Sequence, residues 1–116
     1  LQELRREFLI REVGSSDFFG QGGSRVRQNA GLVWEVLCKI RREEILGNEL
    51  DLKSLSIDLG IKHPTLIRML DRLEASGAVN RSRNIRDTRR ALIKLEANFR
   101  EKFDQCLSEN IAIAQF

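Results

Sequence analysis

The feature that most constrains this chain is a short apolar stripe enclosed by a proline and a glycine. Apolar side chains recur at i, i+3, i+4 and i+7, a spacing that places them on one face of an α-helix. Pro64 suits the first turn of a helix, and Gly77 suits the left-handed residue that ends one. We therefore predict a helix from about Pro64 to Ser76. Its apolar residues are Leu66, Met69, Leu70 and Leu73, and the polar residues on its opposite face are Thr65, Arg68 and Arg72.

A second short helix is predicted just before this one. Asp51 suits the N-cap position of that helix, and Gly60 together with Ile61 suits a tight turn into the next. Two helices joined across a glycine turn form a helix-turn-helix. The side chains of the first helix that we expect to face inward are Leu52, Leu55 and Leu59.

After Gly77 the hydrophobic period changes from 3.6 to 2. An extended run begins at Ala78 and Val79, and residues 91–95 alternate on a returning strand, with Ala91, Ile93 and Leu95 on one face. A hairpin directly after a helix-turn-helix is called a wing. The pattern predicts a mainly α fold with a small β-hairpin wing, which is a winged helix-turn-helix.

Most of the positive charge of the chain lies in this hairpin. Residues 81–94 carry six basic side chains and one acidic side chain, a local charge of +5 against +3 for the whole chain. A hairpin of this kind taken alone is typical of a solvated charge run. Directly after a helix-turn-helix, the same charge favours a polyanionic partner, because each Lys or Arg set against a phosphate releases condensed counterions. We therefore expect double-stranded DNA as the partner.

The position of each polar residue predicts what it contacts on DNA. Side chains in the first turns of a recognition helix reach base edges, while Arg72, one turn further on, is placed for a phosphate. At the tip of the wing, Arg86 is assigned to the minor groove. The residues assigned to base edges are Lys62, His63, Thr65 and Arg68, and those assigned mostly to the DNA backbone are Arg81, Arg83, Arg89 and Arg90.

Two segments resemble MarR-type transcriptional regulators, over about residues 30–110. Residues 66–79 contain the helix end Asp-Arg-Leu-Glu-x-x-Gly, and residues 87–95 contain Asp-x-Arg ahead of an alternating strand that ends in Leu. The resemblance implies a homodimeric repressor or activator that sets one recognition helix per subunit in successive major grooves. Two-fold symmetry then implies a pseudo-palindromic site with recognition helices ~34 Å apart.

The resemblance also implies roles for individual residues. Arg68 and Arg72 match polar positions of the recognition helix, Arg89 matches the wing arginine, and Asp87 matches the aspartate that braces that arginine. From the residues alone, Asp87 is equally well explained as a turn residue. The chain departs from the family at 62–64, where Lys-His-Pro replaces the usual Ser or Thr before the helix. The helix cap and the first base contacts are therefore expected to differ.

The flanking segments are predicted to be scaffolding. We divide the chain into an N-terminal helix and Gly/Ser-rich loop (1–28), the DNA-binding domain (29–96) and a C-terminal helix (97–116), with 14–24 as the loop. A helix over 29–46 should pack under the helix-turn-helix, with Trp34 at its edge or in a dimer contact. Side chains assigned to dimerisation, with packing inside the chain as the alternative, are Leu4, Phe8, Phe99, Phe103, Leu107 and Ile111.

Little in the sequence favours catalysis or a cofactor. The chain has one histidine, His63, no tyrosine, and no nucleophile with a base at readable spacing, so we predict a non-enzyme without metal or cofactor. No stretch of 18 apolar residues and no secretory signal pattern is present, so we expect a cytoplasmic protein without membrane contact. Cys38 and Cys106 fall in apolar helices, which favours core packing over a disulfide or an oxidant sensor.

Two alternatives to a simple DNA-binding regulator stay open. One is a winged-helix module that binds another protein, although a protein-binding wing needs no run of five arginines. The other is a regulator gated by a small-molecule effector or by cysteine oxidation, for which the sequence identifies no ligand.

Overall fold

A computed structural model describes residues 2–14, 23–83 and 91–114, with side chains over 5, 7–14, 31–82 and 91–109. These residues form helices and one antiparallel hairpin, which confirms the predicted fold class. No helix in this part of the chain is both long and apolar enough to cross a membrane. The elements in order are α1 (Gln2–Glu12), α2 (Gly23–Leu46), α3 (Leu52–Leu59), α4 (His63–Ala75), β1 (Val79–Arg83), β2 (Ala91–Leu95) and α5 (Ala97–Ala114).

The helix-turn-helix is formed by α3 and α4, and its boundaries follow from local sequence. The Asp51 carboxylate accepts the backbone N–H of Ser54 at 2.8 Å, as the predicted N-cap requires. Gly60 adopts φ +64° at the end of α3, and Gly77 adopts φ +83° after α4. Residues that carry a side chain rarely adopt this left-handed backbone conformation, so glycine is favoured at both turns. Helix α4 lies within one residue of its predicted bounds.

The wing is an antiparallel pair in which Val79 lies opposite Leu95 and Arg83 opposite Ala91. The sheet is also joined to the start of the helix-turn-helix, which the sequence did not predict. The Ile93 N–H donates to the Leu50 carbonyl oxygen at 2.9 Å, and Asp51 pairs with Leu92 in an isolated β-bridge. The returning strand is therefore held on both sides by hydrogen bonds.

One hydrophobic core joins all the described elements. The stripe on α4 is buried as predicted, and it shares the core with apolar residues of α2 and with Ile93 and Leu95 of β2. Helix α2 begins at Gly23 rather than near 29. The last two residues of the predicted loop over 14–24 therefore belong to this helix, and the predicted domain boundary between 28 and 29 lies inside it. The buried residues of α2 that the spacing predicted are Val33, Val36, Leu37 and Ile40.

The first of the two predicted positions of Trp34, at the edge of its helix, is wrong. Its side chain is only 6% exposed and lies in an aromatic cluster inside the chain rather than at an edge of the fold. Its ring centroid is 5.1 Å from that of Phe103 and 6.3 Å from that of Phe8, and the Phe8 and Phe99 centroids are 5.7 Å apart. These four rings come from α1, α2 and α5. The cluster therefore attaches the two flanking helices to the scaffold helix.

The same cluster bears on the residues assigned to dimerisation. Phe8, Phe99 and Phe103 are buried within the chain, so intrachain packing, the stated alternative, accounts for their burial. Leu107 is partly buried against the same core, while the side chains of Leu4 and Ile111 fall outside the described residues. A dimer stays a prediction, and these three phenylalanines offer little surface to it.

Polar contacts also connect α2 to α5 and to the wing. The Arg41 guanidinium donates two hydrogen bonds to Asp104, at 2.8 and 2.9 Å. The nearly buried Glu44 carboxylate accepts the Leu95 N–H at 3.3 Å, and one of its oxygens lies 3.8 Å from an Arg100 nitrogen. The other Glu44 oxygen lies 3.8 Å from an Arg41 nitrogen, so this carboxylate connects α2 to both β2 and α5.

Replacing Phe103 by Ala should destabilise the fold strongly. The side chain is fully buried and contacts three other rings, so its removal leaves a cavity, and we expect a loss of about 3–5 kcal/mol in the free energy of unfolding. Urea denaturation followed by circular dichroism measures this loss. The control is Gln105→Ala on the exposed side of the same helix, which should change stability by less than about 0.5 kcal/mol. Equal effects of the two substitutions would contradict the burial of Phe103.

Candidate nucleic-acid interface

The outer face of α4 is polar because the apolar stripe fixes how the helix is rotated. Leu66, Leu70 and Leu73 are fully buried, and Met69 nearly so. The side chains at the intervening positions therefore point away from the core. The predicted contact residues on this face are exposed at Lys62, His63, Arg68 and Arg72, and half-buried at Thr65.

The start of α4 has no side-chain cap. Lys62 occupies the N-cap with extended backbone angles (φ −61°, ψ 138°) and makes no side-chain capping hydrogen bond. Pro64 lies in the first turn, where its missing N–H interrupts no helical hydrogen bond. The first turn of α4 therefore presents Lys62 and His63 without a capping side chain.

The sequence predicts that Arg81 contacts the DNA backbone, whereas in this structure its donors bind carboxylates of the same chain. Its Nε and Nη2 donate to the Glu74 carboxylate at 3.3 and 3.1 Å, and Nη2 also donates to Asp71. The backbone N–H of Arg81 donates to Glu74 as well, at 3.2 Å. Three of its donor groups are therefore engaged inside the chain. We call Asp71, Glu74 and Arg81 the Arg81 cluster.

The contacts within the cluster shift the pKa values of Glu74 and Arg81. The Arg81 guanidinium, mainly through its side-chain hydrogen bonds, lowers the pKa of Glu74. In turn the Glu74 carboxylate raises the pKa of Arg81. Both residues are therefore charged across the physiological pH range. The sequence analysis did not predict this pairing. A signal was present, because Asp71 and Glu74 lie three residues apart at the end of α4 and Arg81 follows shortly after in sequence.

Most of the wing residues assigned to DNA lie outside the described residues. They are Arg86, Asp87, Arg89 and Arg90. Arg83 ends β1, and its side chain is likewise outside the described part. The structure therefore shows that β1 begins beside α4 and that β2 returns along β1.

The cysteines behave as packing residues, as predicted. Cys106 is buried in the core and Cys38 packs against that core, half-buried, on α2. Burial, the largest effect, raises the pKa of the Cys38 thiol despite the nearby Arg5 guanidinium. A thiol of raised pKa holds little thiolate at neutral pH, which disfavours oxidant sensing at Cys38. Within the described residues, no group of three or more His, Cys, Asp or Glu side chains is placed to hold a metal ion.

Comparison with known proteins identifies the family of this chain. The family model described as "MarR family" matches residues 34–91, which is half of the chain. This chain belongs to the MarR family. The match includes the helix-turn-helix, β1 and residues 84–90, and it ends at the first residue of β2. A comparison with curated protein sequences finds no significant match.

Solved structures with the same fold include DNA complexes. Apo MarR from Escherichia coli is 27% identical, with a TM-score of 0.58 over 90% of this chain. A cysteine-to-serine MarR variant from E. coli, solved with operator DNA, is 26% identical over 90% of the chain with a TM-score of 0.55. Overoxidised AbfR bound to DNA is 27% identical over 91% of the chain and 67% of its own, with a TM-score of 0.56. This chain spans 64% of the length of each MarR structure.

Stability should depend on pH through the Arg81 cluster. Since the pKa of Glu74 is lowered in the folded state from its ordinary value of 4.5, the ion pair stabilises the fold above that pH. This stabilisation disappears as the pH falls through the lower, folded-state pKa. We expect the melting temperature of the unmodified protein to exceed that of Glu74→Gln at pH 7, and the two to converge in acid. Thermal scans between pH 3 and 7 measure the difference, and a difference independent of pH would contradict the pairing.

Proposed function

We propose that this protein is a sequence-specific, double-stranded DNA-binding transcriptional regulator of the MarR type. The observation that carries this proposal is the exposed polar face of α4, presented by a winged helix-turn-helix of the MarR family. A helix of this kind is placed for the major groove, with the wing beside it for the adjacent minor groove. The DNA-bound structures of MarR and AbfR support this assignment.

Each exposed residue is given a role that follows from its place on α4. Lys62, His63, Thr65 and Arg68 belong to the first turns and are proposed to contact base edges. Arg72 is one turn further on and is proposed to contact a phosphate. Since Lys62 and His63 begin this helix, the first base contacts of this protein should use long side chains.

The wing is proposed to supply most of the electrostatic attraction. Arg86 is assigned to the minor groove, Arg89 to the position braced by Asp87, and the other basic residues to phosphates. Because Arg81 is held by Asp71 and Glu74, we now exclude it from the phosphate contacts. The remaining wing arginines, together with Lys94, carry this role.

We also propose a homodimer that binds a pseudo-palindromic site in the cytoplasm, and a protein without enzymatic activity. Two recognition helices about 34 Å apart would read successive major grooves on one face of the duplex. Family membership supports this arrangement. An effector, if one binds, is not identified by the described residues.

The salt dependence of DNA binding tests the proposal directly. Fluorescence anisotropy with a mixed-sequence duplex at several salt concentrations should show binding that weakens with salt. Arg86→Ala/Arg89→Ala should reduce the slope of log K against log salt by about one to two, because each arginine that contacts a phosphate contributes about one. The control Arg42→Ala/Lys102→Ala removes the same charge from α2 and α5 and should leave the slope unchanged.

Each outcome separates the proposed function from its alternative. No binding at low salt, or equal slopes for the unmodified protein and the wing variant, would contradict DNA binding by the wing. A winged-helix module that binds a protein partner would then be the better explanation of the charged hairpin.

The homodimer is tested by light scattering at micromolar concentration. A chain of 13.4 kDa should give about twice that mass if the flanking helices pair. Addition of a selected duplex should give a complex of two chains per duplex. A monomer both free and on DNA would contradict the dimer, while leaving DNA binding by a single helix and wing intact.

A further inference from the structure

We propose that Arg81 is a positioning residue that holds the recognition helix α4 and the first strand of the wing in one relative orientation. This inference rests on the proposed function, because the orientation matters only if both elements contact one DNA duplex. It assigns Arg81 to the geometry of the DNA-binding surface rather than to a DNA contact.

The first support is the number and kind of contacts. Arg81 donates to Glu74 from Nε at 3.3 Å and from Nη2 at 3.1 Å, so the guanidinium grips both carboxylate oxygens. Its backbone N–H donates to the same carboxylate at 3.2 Å. A planar guanidinium paired in this way fixes direction as well as distance. Glu74 therefore holds both the side chain and the backbone of β1.

The second support is where these residues lie along the two elements. Asp71 and Glu74 are three residues apart and share one side of α4. Arg81 follows Val79 by two positions on β1, so both point to the same face of the strand, and Val79 is buried in the core. The Arg81 side chain is 24% exposed and lies on the same face of β1 as Val79, two residues further from the core. The ion pairs thus join α4 to the wing where hydrophobic packing ends.

The third support is the shortness of the covalent connection. Only Ser76, Gly77 and Ala78 separate α4 from β1, and the Ala78 N–H donates to the Leu73 carbonyl oxygen at 2.9 Å. This turn anchors one end of the strand. Arg81 supplies a further attachment outside the turn, and two separated attachments limit the rotation of the strand about the helix end. Changes at the cluster should therefore alter the angle between α4 and the wing.

The cluster also explains two acidic residues on a helix proposed to bind DNA. An unpaired carboxylate near phosphates is repelled, so its removal should strengthen DNA binding. A carboxylate that positions the helix has the opposite effect, because its removal loosens the surface that fits the DNA. The sign of the affinity change therefore distinguishes the two roles.

The experiment begins with a duplex selected from a random pool by the unmodified protein. The dissociation constants of Glu74→Gln, Arg81→Gln and the double variant are then measured for that duplex and for a mixed-sequence duplex. We expect each single variant to weaken binding to the selected duplex by about threefold to tenfold, and the double variant to be no weaker than Arg81→Gln. Binding to the mixed-sequence duplex should change less.

Three controls isolate positioning from charge and from stability. Glu101→Gln removes one acid from the exposed side of α5 and should leave the affinity for the selected duplex nearly unchanged. Arg81→Lys keeps the charge without the planar fork, so its affinity should lie between those of the unmodified protein and Arg81→Gln. The salt slope of Arg81→Gln should equal that of the unmodified protein, whereas loss of a phosphate contact would lower the slope by about one.

Hydrogen exchange of the Arg81 amide in the protein without DNA supplies an independent measurement. Glu74→Gln should speed this exchange, because a neutral amide oxygen accepts the Arg81 N–H more weakly than a carboxylate does. Arg81 has no positioning role if Glu74→Gln tightens binding, if the two substitutions are additive, if the slope falls by one, or if amide exchange is unchanged. Failure of the unmodified protein to bind any duplex overturns the proposed function instead, and the exchange result still decides whether the cluster holds the strand.

Discussion

Burial of the apolar stripe on α4 is the constraint on which the rest of the structure depends. Leu66, Leu70 and Leu73 are each fully buried, and successive helical positions differ by about 100° in direction. A rotation of α4 by one position would bring Arg68 toward the core and expose leucine. Packing against α3, β1 and the shared core therefore selects the one rotation in which the basic residues face outward. The candidate DNA-binding surface is a consequence of the core.

Charge on this surface is divided between residues available to a partner and residues used internally. The hairpin carries a local charge of +5 over 81–94, but Arg81 is bound by Asp71 and Glu74. A similar arrangement occurs between α2 and α5, where Arg41 binds Asp104 and Glu44 lies near Arg100. Counting arginines in the sequence therefore overstates the charge offered to a partner. Some of these arginines hold the scaffold in place.

Several elements could be predicted from the sequence because their causes are local. The ends of α4 follow from Pro64 and Gly77, whose backbone preferences act on their own residues and nearest neighbours. The cap at Asp51 needs only an N–H three residues away, which every helix start provides. The buried face of α4 follows from the period of its apolar residues. Family membership was likewise predictable, since its motifs are contiguous stretches of the chain.

The chain by itself therefore determined the boundaries of α3 and α4, the buried face of α4 and the family, since each depends on neighbours in sequence. The tertiary structure alone decided the partners of Trp34 and Arg81. Trp34 meets rings contributed by α1 and α5, and its spacing on α2 carries no information about either helix. Arg81 reaches two carboxylates only after the turn at Gly77 brings β1 alongside α4. Ring contacts and ion pairs form between whichever groups the completed fold brings within a few ångströms, so they follow from the packing of elements rather than from local preference.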